Sequence, residues 1–440
     1  MPTSLRSRIP VVVCIDVEPE GRAIDPDVRV DWRGFESALN YFSAFRPRLA
    51  AATRAPAHFS WFLRMDPQIE RVYGSAAWGA VRYADPLRRL EETGDEVGIH
   101  PHFWRFDEGT RGWFSDFADQ SWMDHCIEEG FAAFRRSLGR PCRTVRVGDR
   151  CLGEATVALL ERLGARFDVT VEPGQPPTPL EDPFVGSLPD FRGAPRVPYR
   201  PAPSSFLTPG GAAGRDLWIV PLSTGRLDWA FAGLANRREG AKTKAGRPSW
   251  EGWHERADGT QISGWAFDAN EPCSIVAVEI RVGRTLLARV DAGSFRPDLL
   301  DAGKGDGRHG FTLPVPDRLR DGAVHEVSVT IAGTQVGLPD TPKPLCSPTG
   351  PRRDDEPLTF YLGLNPAVLG GMVETLLDRE DAPSHLAFVM RSSQMLSPAD
   401  RAHVEQNLEY LRARLDADRF VFVTPAEAVR LLAESGRLGA

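Results

Sequence analysis

The 440-residue sequence predicts an α/β fold whose parallel sheet is interrupted by a smaller all-β domain. Short apolar runs alternate with helical stripes over the first 175 residues, and the same alternation resumes after about residue 355. From about Trp253 to Gly337 apolar and polar side chains alternate instead, which is the period of half-buried antiparallel strands. Repeated strand–helix units of this length imply a parallel sheet, either open or closed into a barrel.

The first predicted element is a continuous apolar run at residues 11–15, as expected for a parallel strand buried on both faces. A helical stripe follows, formed by Phe35, Leu39, Phe42 and Leu49. Four more strands are predicted at 58–63, 96–100, 144–148 and 167–171. Helices are predicted at 86–93, 116–138 and 154–163, and a loop rich in proline and glycine at 175–215 leads to a short strand at 217–221.

The β domain is predicted from the alternation of Val276, Val278, Ile280 and Val282 with more polar residues. After it, strands are predicted at 358–362, 385–390 and 420–423, with helices at 398–415 and 425–432. The simplest topology is one α/β domain in two parts, 1–240 and 355–440, interrupted by a β-sandwich at 250–345. Three domains in series would leave the last part without an adequate core.

Composition excludes several classes of protein. The formal net charge is −7, which argues against a nucleic-acid partner. The six cysteines show no CxxC spacing and indicate free thiols in a reducing compartment. Because the apolar run at 11–15 is too short for a signal core or a membrane span, we expect a cytoplasmic protein without a span.

Charged and polar residues cluster where the predicted strands end, which is where parallel α/β folds gather their active sites. They are Asp16, Glu18, Arg64, Asp66, His100, His102, Arg146, Asp149, Glu172 and Arg391. Two carboxylates and two imidazoles on neighbouring strand ends match the ligands that zinc prefers, with a position left for water. The alternative is structural: Asp16 and Glu18 as strand-end caps, and His100 and His102 as a hydrogen-bonded packing pair.

The arginines at these strand ends also allow two interpretations. Arg64, Arg146 and Arg391 can neutralise the nearby carboxylates, or they can orient a base and stabilise an oxyanion or a sugar carboxylate. Trp104 could stack on a sugar ring, although aromatic residues at this density are more often core.

Three segments at these strand ends resemble the motifs of the NodB-homology polysaccharide deacetylases, carbohydrate esterase family 4. Residues 12–18 resemble the first motif in its "DVE" form, residues 94–102 the second and residues 145–148 the third. The similarity extends over residues 10–230 and 355–435. It implies a distorted (β/α)7 barrel and the removal of an acyl group from a carbohydrate by a metal-assisted attack of water.

The subgroup that the chain most resembles is associated with lipopolysaccharide and capsule biosynthesis. Its inserted module, with residues 264–268 and 307–311, is similar to β-sandwich modules that accompany glycosyltransferases. The resemblance therefore implies a carbohydrate or glycoconjugate substrate and a glycosyltransferase partner that binds through the sandwich.

In the metal-dependent members of this family, the first aspartate of the first motif is the general base, and the arginine of the third motif holds it. Asp16 and Arg146 stand at these positions here. Those members also have a second aspartate directly after the first, a second histidine four residues after the first, and a late histidine. Val17, Trp104 and Arg391 stand at these positions here.

Glu18 and His102 could replace the missing metal ligands, because they share a strand face with Asp16 and His100. The predicted ion is divalent, with zinc as the preferred identity, and Glu18, His100 and His102 are its ligands.

Arginine stays protonated and is a poor general acid, so Asp149 or Glu172 is expected to serve instead. Arg391 or Arg64 is expected to support the oxyanion, and Arg64, Asp66 and Trp104 to contact the substrate.

Two other functions remain open from the sequence. Carboxylates such as Asp16 and Glu172 would suit a metal-free glycoside hydrolase or lyase on the same barrel. The three departures from the family's motifs favour a non-catalytic glycan-binding protein in surface-polysaccharide biosynthesis, whereas the retained strand-end charges, which are costly to bury, argue against it.

Overall fold

The structure is a computed structural model. It describes residues 8–21, 24, 27, 29–180, 183–226, 249–258, 261–283, 285–315, 319, 323–346, 357–377, 383–414 and 419–438. The chain divides into two compact units, one made of residues 1–226 with 356–440 and the other of residues 227–355. The predicted domain borders at 240 and 355 lie outside the described residues.

The first part of the first unit alternates strands and helices. In chain order its elements are β1 (Ile9–Val17), α1 (Arg33–Thr53), β2 (Ser60–Leu63), α2 (Pro67–Tyr73), α3 (Trp78–Arg82), α4 (Ala84–Glu92), β3 (Glu96–Ile99), β4 (Trp104–Asp107), β5 (Gly112–Asp116), α5 (Gln120–Leu138), β6 (Thr144–Val145), α6 (Glu154–Arg162), β7 (Phe167–Asp168), β8 (Thr178–Pro179), β9 (Phe184–Val185), β10 (Ser187–Leu188), β11 (Pro201–Ala202), β12 (Ser205–Pro209), β13 (Trp218–Ile219) and β14 (Thr224–Gly225).

The second unit is formed by strands and one short helix. They are β15 (Trp250–Ala257), β16 (Gln261–Asp268), β17 (Val276–Val282), β18 (Thr285–Ala292), β19 (Ser294–Phe295), α7 (Pro297–Asp301), β20 (Arg308–Pro314), β21 (Val324–Ile331) and β22 (Lys343–Cys346). The first unit then resumes with β23 (Leu358–Thr359), α8 (Pro366–Leu377), β24 (Leu386–Arg391), α9 (Pro398–Arg414), β25 (Phe420–Phe422) and α10 (Pro425–Glu434).

An eight-stranded parallel sheet forms the centre of the first unit. Its order is β13-β7-β6-β3-β2-β1-β24, and β25 pairs with the start of β1. Every residue of β1 is buried, as its continuous apolar run predicts. Beyond β13, Val220 donates its N–H to Asp168 O (2.8 Å) and Ser223 donates to Ala387 O (3.0 Å). The segment after β13 therefore contacts both β7 and β24.

Several predicted boundaries differ from those observed. The predicted strand at 144–148 ends at Val145, because the chain turns into a short 3₁₀ helix at Gly148–Arg150. The predicted helix at 116–138 begins at Gln120, since Asp119 caps it by accepting the N–H groups of Ser121 and Trp122. The hairpin β4–β5 was not predicted from the sequence.

The second unit contains two four-stranded antiparallel sheets, β15-β16-β20-β19 and β18-β17-β21-β22. β17 carries the predicted alternation, with Val276, Val278 and Ile280 buried. These side chains join Phe311 of β20 and others in one apolar cluster drawn from both sheets. Among the described helices of the whole chain, we find none with the length and apolar character that a membrane span requires.

Candidate metal and catalytic site

Four strand ends of the central sheet bring the predicted site residues together. Asp16 lies in β1 at the same level as Arg391 of β24, its paired residue across the ladder. His100 follows β3 and Arg146 follows β6, and these two strands are also neighbours. Because all of these strands are parallel, their carboxyl ends meet at one edge of the sheet. The side chains of Asp16, Glu18, His100 and Arg146 are buried there.

Glu18, His100 and His102 offer one ligand atom each within 4.8 Å of one another. The Nε2 atoms of His100 and His102 are 3.0 Å apart. The Nε2 atom of His102 also lies 3.5 Å from Glu18 Oε2. The alternation of side chains along each strand end puts these groups on one face, as the sequence predicts.

The partners of the two imidazoles determine which nitrogen carries the proton. His100 Nδ1 is 2.7 Å from the carbonyl oxygen of Arg146, and His102 Nδ1 is 3.0 Å from Asp149 Oδ2. Both partners are acceptors, so each histidine donates from Nδ1 and presents a lone pair at Nε2. Two lone pairs 3.0 Å apart repel each other unless a proton or a cation lies between them.

His102 is disfavoured as the carrier of such a proton. Burial, and after it the positive charge of Arg64, hold the pKa of His102 well below its usual range, although Asp149 acts in the opposite direction. His102 therefore stays neutral in neutral solution. Neutral imidazoles with orienting acceptors on Nδ1, next to a carboxylate, are a donor set that suits zinc and similar divalent ions.

Asp149 owes its position to an unusual turn. Gly148 leaves room for the His102 ring, since a Cβ on this glycine would come within 2.5 Å of it. Asp149 itself has φ of 50° and ψ of 29°, a left-handed conformation that costs a non-glycine residue free energy. The turn carries the carboxylate to Nδ1 of His102, which it orients.

Asp16 is held by a buried ion pair. The Nε of Arg146 donates to Asp16 Oδ1 at 2.9 Å and lies 3.1 Å from Oδ2. Burial alone would lower the pKa of the Arg146 guanidinium, but Asp16, Tyr361 and Glu172 raise it above its usual range. Asp16 Oδ2 also lies 3.7 Å from His100 Nε2. This carboxylate is thus fixed beside the histidine pair.

A cavity of about 310 Å³ opens over this group of side chains. Its walls include seven of the predicted site residues, Asp16, His100, His102, Arg146, Asp149, Glu172 and Arg391. Phe117, Phe184, Leu180 and Leu188 form its apolar side. A volume of this size and a wall of mixed character suit a small ligand such as one sugar residue.

Glu172 and Arg391 have their own partners at the cavity. Glu172 Oε2 accepts a hydrogen bond from Thr359 Oγ1 at 2.8 Å and lies 3.8 Å from Arg150 Nη1. Arg391 places its Nε 3.4 Å from Glu18 Oε1.

The three residues that were predicted to contact the substrate, Arg64, Asp66 and Trp104, do not line the cavity. Arg64 and Asp66 are fully buried, and Arg64 Nε donates to Asp66 Oδ2 at 2.5 Å. Asp66 also caps α2 by accepting the N–H groups of Gln68 and Ile69. Trp104 packs against Phe184 with ring centroids 5.4 Å apart. None of the three is among the residues that line the cavity, so they support its walls, and their contact with a substrate stays a prediction.

Tyr361 is a cavity residue that was not singled out from the sequence. It lies beside β24, where it pairs with Val389. Burial, and next the negative charge of Glu172, raise its pKa to about 12. Among the described residues its hydroxyl makes no hydrogen bond. The signal was present, because Tyr361 is a polar residue near the end of the predicted strand 358–362.

Comparisons with known proteins give matches only among solved structures, since neither a family model nor a curated protein matches this chain. One match is a protein described as a polysaccharide deacetylase from Mycobacterium smegmatis, with 13% identity, 98% of this chain and 94% of that chain covered, and a TM-score of 0.37. The chain is similar to polysaccharide deacetylases.

Two further structures bear related descriptions. One is a polysaccharide deacetylase involved in O-antigen biosynthesis from Bordetella bronchiseptica, with 14% identity, 54% of this chain and 66% of that chain covered, and a TM-score of 0.23. The other is a family 4 carbohydrate esterase from Streptomyces lividans, with 15% identity, 37% and 62% covered, and a TM-score of 0.22. At such TM-scores the chemistry of the site has to follow from its own residues.

Proposed function

We propose that the first unit is a hydrolase that removes an acyl group from a sugar or glycan precursor. Glu18, His100 and His102 would hold a divalent ion, and zinc is the ion that the donor set suits best. The observation that carries this proposal is the 3.0 Å approach of two Nε2 atoms that both present lone pairs beside a carboxylate. When bound, such an ion supplies Lewis acidity, which makes a water molecule a stronger nucleophile and polarises an acyl carbonyl.

Asp16 is the proposed general base. It lines the cavity next to His100, and its Arg146 partner fixes the direction of the carboxylate. A base in this position can take a proton from a water molecule that attacks the acyl carbon. Arg146 is therefore a positioning residue.

Tyr361 is the proposed proton donor. Asp149 already accepts the Nδ1 proton of His102, and Glu172 accepts from Thr359, so we assign both to positioning. The Tyr361 phenol keeps its proton in neutral solution and lines the same cavity as Asp16. It can donate a hydrogen bond to the developing oxyanion or a proton to the leaving nitrogen or oxygen of the sugar.

We expect Tyr361→Phe to lower kcat about 100-fold, the usual effect of losing one such donor. The substitution removes a single oxygen atom that makes no hydrogen bond to any described residue, so the melting temperature and metal content should stay the same. Steady-state kinetics with an acetylated oligosaccharide would measure it. A kcat equal to that of the wild type would contradict the assignment.

Release of acetate tests the proposed function itself. The full chain, loaded with zinc, is incubated with acetylated oligosaccharides, and free acetate and new reducing ends are measured in the same samples. Acetate without reducing ends supports the proposal. Reducing ends without acetate would instead identify a glycoside hydrolase or lyase acting through Asp16 and Glu172.

A second candidate function is glycan binding without catalysis. It is favoured by one observation, which is that Glu18 already lies 3.4 Å from Arg391 Nε and 3.9 Å from Arg64 Nη1. These arginines compensate the carboxylate without an ion and weaken attraction for one. Glycan binding that is unchanged in the His100→Ala/His102→Ala variant, with turnover by neither protein, would favour this candidate.

The remaining features of the proposal concern the whole chain. The contacts from Val220 to β7 and from Ser223 to β24 support closure of the central sheet into a distorted (β/α)7 barrel.

The second unit is proposed as a β-sandwich that binds a glycosyltransferase, on the basis of its sequence resemblance alone. Five described cysteines are unpaired, which supports a reducing, cytoplasmic location, where a role in surface-polysaccharide biosynthesis would act on precursors.

A further inference from the structure

A second cavity of about 740 Å³ adjoins the first. The two cavities share Tyr361 and Arg391, which stand in the wall of both. The other residues of the second cavity are Glu20, Arg33, Gly363, Leu364, Ser393, Gln394, Leu396, Ser397 and Asp400. The two cavities therefore meet at these two residues.

The wall of the second cavity combines polar and apolar groups. Three hydroxyls, one amide and two carboxylates are among the groups that line it, and these groups can form hydrogen bonds with the hydroxyls of a sugar. The amide of Gln394 is set in place on two sides. Its Oε1 accepts the N–H of Arg391 at 2.9 Å, and Gly363 leaves the space that its Nε2 occupies.

Arg391 is the group at the junction that can bind an anion. Its Nε lies 3.4 Å from Glu18 Oε1, and its terminal nitrogens donate no hydrogen bond to any described residue. About a third of the side chain is exposed, at 35%. Arg33 differs, because it donates twice to Glu20, at 3.3 and 3.2 Å, and is neutralised there.

The charge of Arg391 gains importance when the metal site is filled. Glu18 is the carboxylate that balances Arg391, and it is also a proposed ligand of the ion. A divalent cation on Glu18 would take up that negative charge and weaken its attraction for the guanidinium, on which Asp149 and Asp16 also act. A planar guanidinium with two free nitrogens binds a carboxylate through two parallel hydrogen bonds.

We propose that the second cavity binds an acidic sugar residue, linked to the acylated sugar in the first cavity, and that Arg391 recognises its carboxylate. This inference rests on the proposed function, which assigns the acylated sugar to the first cavity. The substrate class is thus an acylated glycan that contains a uronate next to the sugar that loses its acyl group.

Binding of unacylated disaccharides tests this inference separately from catalysis, because such probes cannot be deacylated. The probes are a hexose linked to a hexuronate and the same disaccharide with a hexose in place of the hexuronate. Titration calorimetry on the zinc-loaded full chain should show that the acidic disaccharide binds at least about ten-fold more tightly than the neutral one. Arg391→Gln should abolish the difference between the two probes.

Two other variants complete the test. Arg88→Gln, which removes an exposed arginine paired with Asp85 and Glu92 on α4, should keep the preference. Leu396→Trp narrows the second cavity and leaves Glu18 unchanged. It should weaken binding of the acidic disaccharide about ten-fold. This variant tests the second cavity even where Arg391→Gln fails to fold.

Equal affinity of the wild type for both probes would overturn the inference, as would a preference that survives in folded Arg391→Gln. Acetate release from acylated sugars would still uphold the proposed function in either case. A preference for the acidic probe in a protein that releases no acyl group would overturn the proposed function and leave the binding site standing.

Discussion

The double substitution His100→Ala/His102→Ala should abolish stoichiometric binding of a divalent ion. The wild type purified without chelator should contain about one ion per chain, as a three-ligand site would hold. Two of the three proposed ligands are lost in the variant, and Glu18 alone, next to Arg64 and Arg391, cannot retain the ion. Elemental analysis by mass spectrometry and calorimetric titration with Zn²⁺ would measure the loss.

A matched control for this experiment is His125→Ala/His325→Ala, which removes two histidines outside the site. His125 is an exposed residue of α5 beside Trp122, and His325 belongs to β21 of the second unit. This variant should keep the ion. A wild type without stoichiometric metal would rule out the ion-dependent version of the proposed function, and a double variant that keeps its metal would show that the ligands lie elsewhere.

Arg146→Met should lower the free energy of unfolding by about 3–5 kcal/mol. Arg146 is buried, and its removal leaves the buried Asp16 carboxylate without the cation that now lies 2.9 Å away. It also removes a donor to Val169 O at 3.4 Å. Urea unfolding followed by far-ultraviolet circular dichroism would measure the loss, and any acyl-releasing activity should fall with it because Asp16 is no longer oriented.

Two variants separate the ion pair from other effects of this substitution. Asp16→Asn/Arg146→Met removes both charges, so it should be more stable than Arg146→Met alone, and together with the single variant Asp16→Asn it gives the coupling between the two side chains. Arg143→Met removes an exposed arginine that donates to Gly164 O at 3.0 Å and should change stability by only about 0.5 kcal/mol. Arg146→Met as stable as Arg143→Met would contradict the buried-pair interpretation.

The parts of the site that follow strand periodicity were predictable from the sequence. Asp16 with Glu18, and His100 with His102, are pairs separated by one residue, so each pair shares a face at a strand end. Parallel strands then bring the two pairs to one edge of the sheet, which is why Glu18 and His102 meet. The pairing of Arg146 with Asp16 followed from the motif resemblance.

Other parts depend on backbone turns that no periodicity indicates. Asp149 was predicted as an acid, yet its contact with His102 arises from a left-handed residue after Gly148, a conformation that the sequence does not specify. Trp104 was considered for sugar stacking, but it starts β4, and its buried ring packs against Phe184. Tyr361 was not considered as a candidate, although it lies near the end of the predicted strand 358–362.

The position at which the second unit is inserted affects how well the first unit tolerates insertions. The chain leaves the first unit at β14 and returns at β23, and these strands pair with each other, Thr224 opposite Thr359. A chain that departs and returns through paired strands closes a loop, and the entropic cost of a loop grows only slowly with its length. The first unit can thus accept insertions of very different size at this point, while the hydrogen bond from Thr359 to Glu172 keeps the returning strand in register with the cavity.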